Sequence, residues 1–392
     1  MLLLLLFTAC SKSSDEGGEP EPDKKKPVLK VYVFAPDRPI VTRADNGDVD
    51  ASAEENEIHS LDVWVFEHHE TGDPKAGDDG KSVGHVRLNN VELSEAGSEV
   101  SMDISDDFAD VKPNVDVYVA ANVTNANCGL SLDAYTDRTT LEGALIKSGY
   151  FGVSPLVSSV PNDGLPMSGV LKNQVVSGAS PVFRVGLESG GLSNVRLVRA
   201  VSKIRFVFSK SSTNTDNLKV NSIKLDGYDA TNHIIGLPNE EYLFLDGAYP
   251  GSRLKVKGSS SEDYVAETTL LSNIDGATIK TNDSPAAYAY NGTMTGQEYE
   301  NLINSGITDE KLSELGRYYL RESDKKVSGT ITYKIGDDER TVTFQTESAG
   351  DFSRNHTWIV YGYFVSSGNL LLNMVEIKNW SNIESPHDIY NW

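Results

Sequence analysis

Alternation of apolar and polar residues with period two recurs from residue 28 almost to the end of this chain. No other feature restricts the fold so strongly, because side chains alternate across a strand and one face can then be buried. In VLKVYVF (Val28–Phe34), Leu29, Val31 and Val33 share one face. In IHSLDVWVFE, Leu61, Val63 and Val65 oppose Trp64 and Phe66. The pattern returns in HVRLNNVELS, EVSMDIS, VDVYVAANV, LPMSGVL and SPVFRVGLES, and at greatest length in NVRLVRAVSKIRFVFSK (Asn194–Lys210). The second half continues it with LKVNSIKLDGY, EYLFLDG, SRLKVKG, YVAETTLL, KVSGTITYKI, ERTVTFQT and HTWIVYGYFV. Gly, Asn and Asp punctuate these runs at short spacing, which predicts an all-β chain of β-sandwich type. Minor helix is expected over 139–151, after a Thr cap, and over 295–316 (TGQEYENLINSGITDEKLSELG).

At 392 residues the chain has room for two domains. The junction is expected just before the long run at Asn194, giving an N-terminal sandwich over 28–193 and a C-terminal one over 194–392. Two segments have little power to form a core. Residues 11–27, rich in acid, Pro, Gly and Lys, read as a disordered tether. Residues 35–57 (APDRPIVTRADNGDVDASAEENE) read as an acidic, flexible link between Val28–Phe34 and the main body.

The first ten residues, MLLLLLFTAC, are an apolar run ending in small residues and a cysteine. This is how a bacterial lipoprotein signal ends, with Cys10 carrying the lipid and acyl chains anchoring the domain to a membrane. No Lys or Arg precedes the run, as a secretory signal requires; a start codon placed too late accounts for that. A clipped ordinary signal peptide or a chance Leu run is the alternative.

Charge and residue usage exclude several functions. With 57 acidic and 35 basic residues the net charge is −22, opposite to what phosphate neutralisation in nucleic-acid binding needs. If Cys10 is acylated, Cys128 has no partner for a disulfide or a thiolate metal site. There is no Gly-x-Ser-x-Gly elbow, phosphate-binding Gly loop or His-Glu-x-x-His. His68 and His69 are strand neighbours, and so point to opposite faces and do not share an ion. Asp45, Asp48 and Asp50, like Asp73, Asp78 and Asp79, lack the Gly and closing Glu of a calcium loop. The chain reads as a non-enzyme with no cofactor.

The order of early strand, flexible acidic segment and strand-rich body suggests that the first strand is removable. A cut between Arg43 and Ala44, in IVTRADNG, would release it and leave a groove of unpaired backbone groups for another chain's strand. Arg38 is a weaker site because Pro39 follows it. The donor candidate is the C-terminal segment 369–392. NLLLNMVEIKNW alternates Leu370, Leu372 and Met374 with Leu371, Asn373 and Val375, and Ile377 and Trp380 extend it; Ile383, Ile389, Tyr390 and Trp392 lie further along the tail. The plainer alternative is a permanent first strand and an ordinary last strand.

Several ordered motifs carry a family resemblance over roughly residues 28–380. They are the lipoprotein start, Arg43-Ala44 ahead of LDVWVFE, VYVAANV (Val117–Val123), LPMSG (Leu165–Gly169), RAVSKIRFVF (Arg199–Phe208), YYLRES (Tyr318–Ser323), FSRNHTWIV (Phe352–Val360) and VEIKNW (Val375–Trp380). With them the chain resembles the fimbrillins of Bacteroidales, subunits of the type V pilus. The resemblance implies two β-sandwich domains of transthyretin-like, Greek-key type and export as a lipoprotein to the outer membrane. It also implies trimming by an Arg-specific protease and filling of the groove by a neighbour's C-terminal strand. The implied partners are other fimbrial subunits, the protease, the outer membrane through the lipid before processing, and a host or bacterial ligand where the subunit sits at a tip. Alternatives on the same fold are a tip adhesin or an anchor; outside the family, a monomeric glycan-binding surface lipoprotein.

Overall fold

In the computed structural model of the chain, the described residues are 26–34, 52, 54–93, 97–124, 137–142, 145–146, 158–187, 191–192, 194–214, 217–226, 228–229, 232–233, 264–265, 267–282, 292–294, 312–321, 326–346, 354–366 and 368–377. Cys10, Arg43, Ala44, Trp380, Cys128, Asp45, Asp48 and Asp50 lie outside them. So do EYLFLDG and SRLKVKG.

The protein is mostly β and forms two β-sandwiches. One sheet of the first sandwich contains β1 (Val28–Phe34), β4 (Ser98–Asp103), β8 (Val176–Ala179), β9 (Val182–Leu187), β10 (Gly191–Leu192) and β11 (Asn194–Arg196). The facing sheet runs β12-β7-β5-β2-β3, formed by β12 (Val198–Arg199), β7 (Met167–Gln174), β5 (Val115–Ala121), β2 (Ser60–Glu67) and β3 (Ser82–Asn89). Their core brings Leu29, Val31, Val33, Val100, Met102 and Phe183 against Leu61, Val63, Val65, Val117, Val119 and Met167. The expected alternation of β2 is present, yet both of its faces are buried: Trp64 and Phe66, on the opposite side from Leu61, Val63 and Val65, pack with Tyr118, Leu141 and Ala200.

The second sandwich has one sheet in the order β19-β24-β23-β13-β20, from β19 (Gly292–Met294), β24 (Leu370–Ile377), β23 (Thr357–Phe364), β13 (Val201–Lys210) and β20 (Ser313–Arg321). The other runs β18-β14-β21-β22, from β18 (Thr268–Asp275), β14 (Leu218–Leu225), β21 (Ser328–Ile335) and β22 (Asp338–Gln345). Between them Ile204, Phe206, Phe208, Trp358 and Val360 meet Val220, Ile223, Ile331, Tyr333 and Phe344. Two short pairs complete the strands: β15 (Tyr228–Asp229) with β17 (Tyr264–Val265), and β16 (Asn232–His233) with β6 (Leu145–Ile146).

Three differences from the sequence reading have physical causes. Among the described residues of the helix expected over 139–151 there is one turn, Arg138–Glu142, with Leu145–Ile146 already strand, and Asp137 rather than Thr caps the turn, accepting from the Thr140 N–H at 2.8 Å. The end of the helix expected over 295–316 is strand: Ser313 to Gly316 open β20 and pair with β13, so long-range pairing overrides local propensity there. Residues 194–199 belong to the first sandwich, because β11 pairs with β1 and β12 with β7, and the sheets change over between Arg199 and Val201. A further helix, α1 (Asp106–Val111), starts at a Ser105 cap whose hydroxyl accepts from the Phe108 N–H.

Candidate functional site: a central, buried first strand

Strand β1 has partners along both edges. Six of its seven residues pair antiparallel with β4, from Val28↔Asp103 to Val33↔Ser98. On the opposite edge two strands share it end to end, both parallel: β9 takes Val28 to Lys30 and β11 takes Tyr32 to Phe34. Leu29, Val31 and Val33 are fully buried in the core between the sheets. Burying three such side chains contributes roughly 1.5–3 kcal/mol each, comparable in sum to the ~5–15 kcal/mol net stability of a domain. A slot without this strand would present an apolar trench and two rows of unpaired backbone groups.

On the outward face of β1, Lys30 and Tyr32 are secured by Glu99, which lies across from Tyr32 on β4. The Lys30 ammonium donates to one carboxylate oxygen at 2.5 Å and the Tyr32 hydroxyl to the other at 2.6 Å. The bond from Lys30, then that from Tyr32, holds the Glu99 carboxyl below the usual range, and Glu99 in turn pushes the Tyr32 phenol up. At the far end Gly97 has φ +85°, and a Cβ there would stand 2.6 Å from the Phe34 ring. Glycine is therefore required both for backbone conformation and for the ring's seat.

The expected donor residues fall in or beyond β24. This strand runs antiparallel to β23 from Leu370↔Phe364 to Ile377↔Thr357, and β19 pairs with its residues 375–377. Leu370 is buried in the core of the second sandwich, and Leu372 and Met374 pack against it. Val375 and Ile377 pair with both neighbours, and Ile377 is the last paired position described.

His68 and His69 take separate carboxylates. His68 Nδ1 is 2.9 Å from Asp116, while His69 Nε2 is 2.9 Å from Glu67 and its Nδ1 3.6 Å from Asp73. Asp79 is paired with Arg138, whose other amine reaches Asp116 at 2.6 Å. Among the described residues no group of three or more His, Cys, Asp or Glu side chains is arranged to hold a metal ion.

A buried polar joint connects the sandwiches, and the sequence reading missed it by placing Glu55 in a flexible link. Glu55 is fully buried in a short 3-10 turn, Glu54–Asn56. Its carboxylate accepts from the Tyr319 hydroxyl at 2.5 Å and from the Lys203 ammonium at 3.2 and 3.3 Å. Arg199, also fully buried, donates Nε to the Glu55 carbonyl at 3.2 Å, one amine to Asn355 at 3.1 Å and the other to Asn56. Burial alone would raise the Glu55 carboxyl; the Lys203 charge, the Tyr319 hydroxyl and Arg199 outweigh it and hold it low. Burial brings the Lys203 ammonium down to about 7, with Glu55 opposing. A readable signal existed: Ser52 and Glu55 form a reciprocal capping box, with Ser52 N–H to the carboxylate at 2.8 Å and Glu55 N–H to the hydroxyl at 3.3 Å.

Comparison with known proteins agrees with this architecture. A solved structure of a candidate cell adhesion protein from Parabacteroides distasonis is similar to the chain at 12% identity and TM-score 0.53, over 91% of this chain and 98% of that one. The tip fimbrial protein Mfa3 from Porphyromonas gingivalis, solved with a C-terminal truncation, is similar at 13% identity and TM-score 0.48, over 90% and 99% respectively. No curated protein sequence matches. Residues 28–199, from the start of β1 to the end of β12, match the model of the family described as major fimbrial subunit protein (FimA). Over that region, somewhat under half of its length, the chain is similar to the FimA family of fimbrial subunits.

Proposed function

We propose that this chain is a polymerising structural subunit of a cell-surface fimbrium, assembled by replacement of β1. The observation that carries the reading is the position of β1: central, fully buried on its apolar face, yet first in the body and joined to it by residues 35–51 alone. The subunit is exported as a lipoprotein through Cys10 and held at the outer membrane until a protease cuts between Arg43 and Ala44. Departure of β1 empties the slot, and a neighbouring subunit's C-terminal segment enters it. The inserted strand gains ladder hydrogen bonds on both edges and buries alternate apolar side chains, so that the joint dissociates slowly.

Leu370, Leu372 and Met374 support their own core, so donation of β24 itself would strip β23 of a partner and open that core. We therefore assign the donor to the tail after Ile377. Trp380, Ile383, Ile389, Tyr390 and Trp392 are its apolar anchors, and β24 is the fixed root from which it extends. In this role the protein performs no catalysis and uses no cofactor; its partners are subunits of the same fibre.

The test is intact mass and N-terminal sequencing of the protein taken from the surface of its own host. A mature N-terminus at Ala44 supports the polymerising role. A lipid-modified Cys10 on the uncut chain contradicts it and favours an anchor or a monomeric surface lipoprotein.

A further inference from the structure

Among the described residues, β11 pairs with β1 and with no other strand: Tyr32↔Asn194, Val33↔Val195 and Phe34↔Arg196. The chain then passes through the buried Leu197 into β12, which ends at Arg199, and enters the second sandwich at Val201. Arg199 is the clamp of the joint, gripping the Glu55 carbonyl, Asn56 and Asn355 at once. Two residues, Leu197 and Val198, thus separate the strand that only β1 completes from one of the side chains that tie the two sandwiches together.

We propose that occupancy of the β1 slot sets the stiffness of the joint between the sandwiches. With the slot filled, β11 is pinned in register and delivers Arg199 to its three acceptors. With the slot empty, β11 loses its ladder, and the backbone at Arg199 rests on β12 alone, whose pairing with β7 is two residues long (Val198↔Ser168 and Arg199↔Met167). That short ladder is left to hold the connection, and the second sandwich gains angular freedom about Arg199–Val201. A donor strand restores the register and locks the angle. The subunit is accordingly hinged while it searches for a neighbour and rigid once incorporated. This is a hinge device biased by a strand rather than by a small ligand. It rests on the strand-replacement reading given above.

The experiment measures an interdomain distance distribution in the full-length chain. Spin labels are placed at Lys75→Cys and Lys219→Cys, both exposed positions, with Cys10 and Cys128 changed to Ser. The intact chain should give one narrow distance peak. Cleavage by an Arg-specific protease and removal of the N-terminal peptide should broaden it, and a synthetic peptide of residues 27–35 should narrow it again. In the uncut chain, Val31→Asp unseats β1 without cleavage and should broaden the peak, while Trp64 fluorescence reports that the first sandwich stays folded. Arg199→Met, with β1 in place, should broaden it too. A narrow peak in a chain whose slot is shown by mass to be empty, or in the Arg199→Met chain, overturns the proposal. A cut chain that retains β1 counts against strand replacement alone, since the two uncut variants still decide the coupling.

Discussion

The Tyr319 hydroxyl donates to the Glu55 carboxylate at 2.5 Å, although 264 residues separate them in sequence and they come from different sandwiches. Tyr319 is also packed into the apolar core of the first sandwich, so one side chain serves the joint with its ring and with its hydroxyl. Tyr319→Phe keeps the ring and removes one donor from a buried, charged acceptor. The expected loss is about 1.5–3 kcal/mol, the usual worth of a hydrogen bond to a charged group, read from urea unfolding.

Removing one charge from the joint costs more than removing both. Lys203→Met leaves the Glu55 carboxylate facing an apolar side chain and should destabilise by about 3–5 kcal/mol. Pairing it with Glu55→Met should recover much of that, because the two changes act on one interaction and are not additive. A double-mutant cycle by denaturant unfolding checks this; additive losses would show that the two groups do not interact.

Strand β1 should be costly to trim. Leu29→Ala removes part of a fully buried side chain, with an expected loss of about 2–5 kcal/mol depending on how well the site collapses. Gly97→Val places a branched side chain at φ +85° and into the Phe34 ring; it should lower the melting temperature and speed protease access to the first strand.

Acid should weaken the second sandwich through Glu314. Burial would raise its carboxyl, but Arg317 and Arg205 bring it down to about 2 from a usual 4.5. Its folded value is below its unfolded one, so its contribution is fully present above about pH 4.5 and is lost as pH falls toward 2. Glu314→Gln should flatten the acid limb of the stability profile across that window, measured by thermal unfolding at stepped pH.

Much of the fold could be read because alternation is a local property. Leu29, Val31 and Val33 were assigned to one face from seven residues, and that face is the buried one. Pairing is not local: nothing in Val28–Phe34 announces that it will lie between β4 on one side and β9 and β11 on the other. Residues Ser313–Gly316 look helical alone and become strand only through β13. The Ser52/Glu55 capping box could mark a local turn, but not that Glu55 is a core residue, for the same reason. Its donors come from Arg199, Lys203 and Tyr319, and only the fold assembles them.

The direction of β24 has a mechanical consequence. The strand runs toward the joint and ends with Ile377 beside Thr357, two residues from the Asn355 that Arg199 holds. Strand β24 therefore ends at the waist of the molecule rather than at an extremity. A donor segment extending from this end of β24, as proposed above, would couple each subunit to the next from its middle.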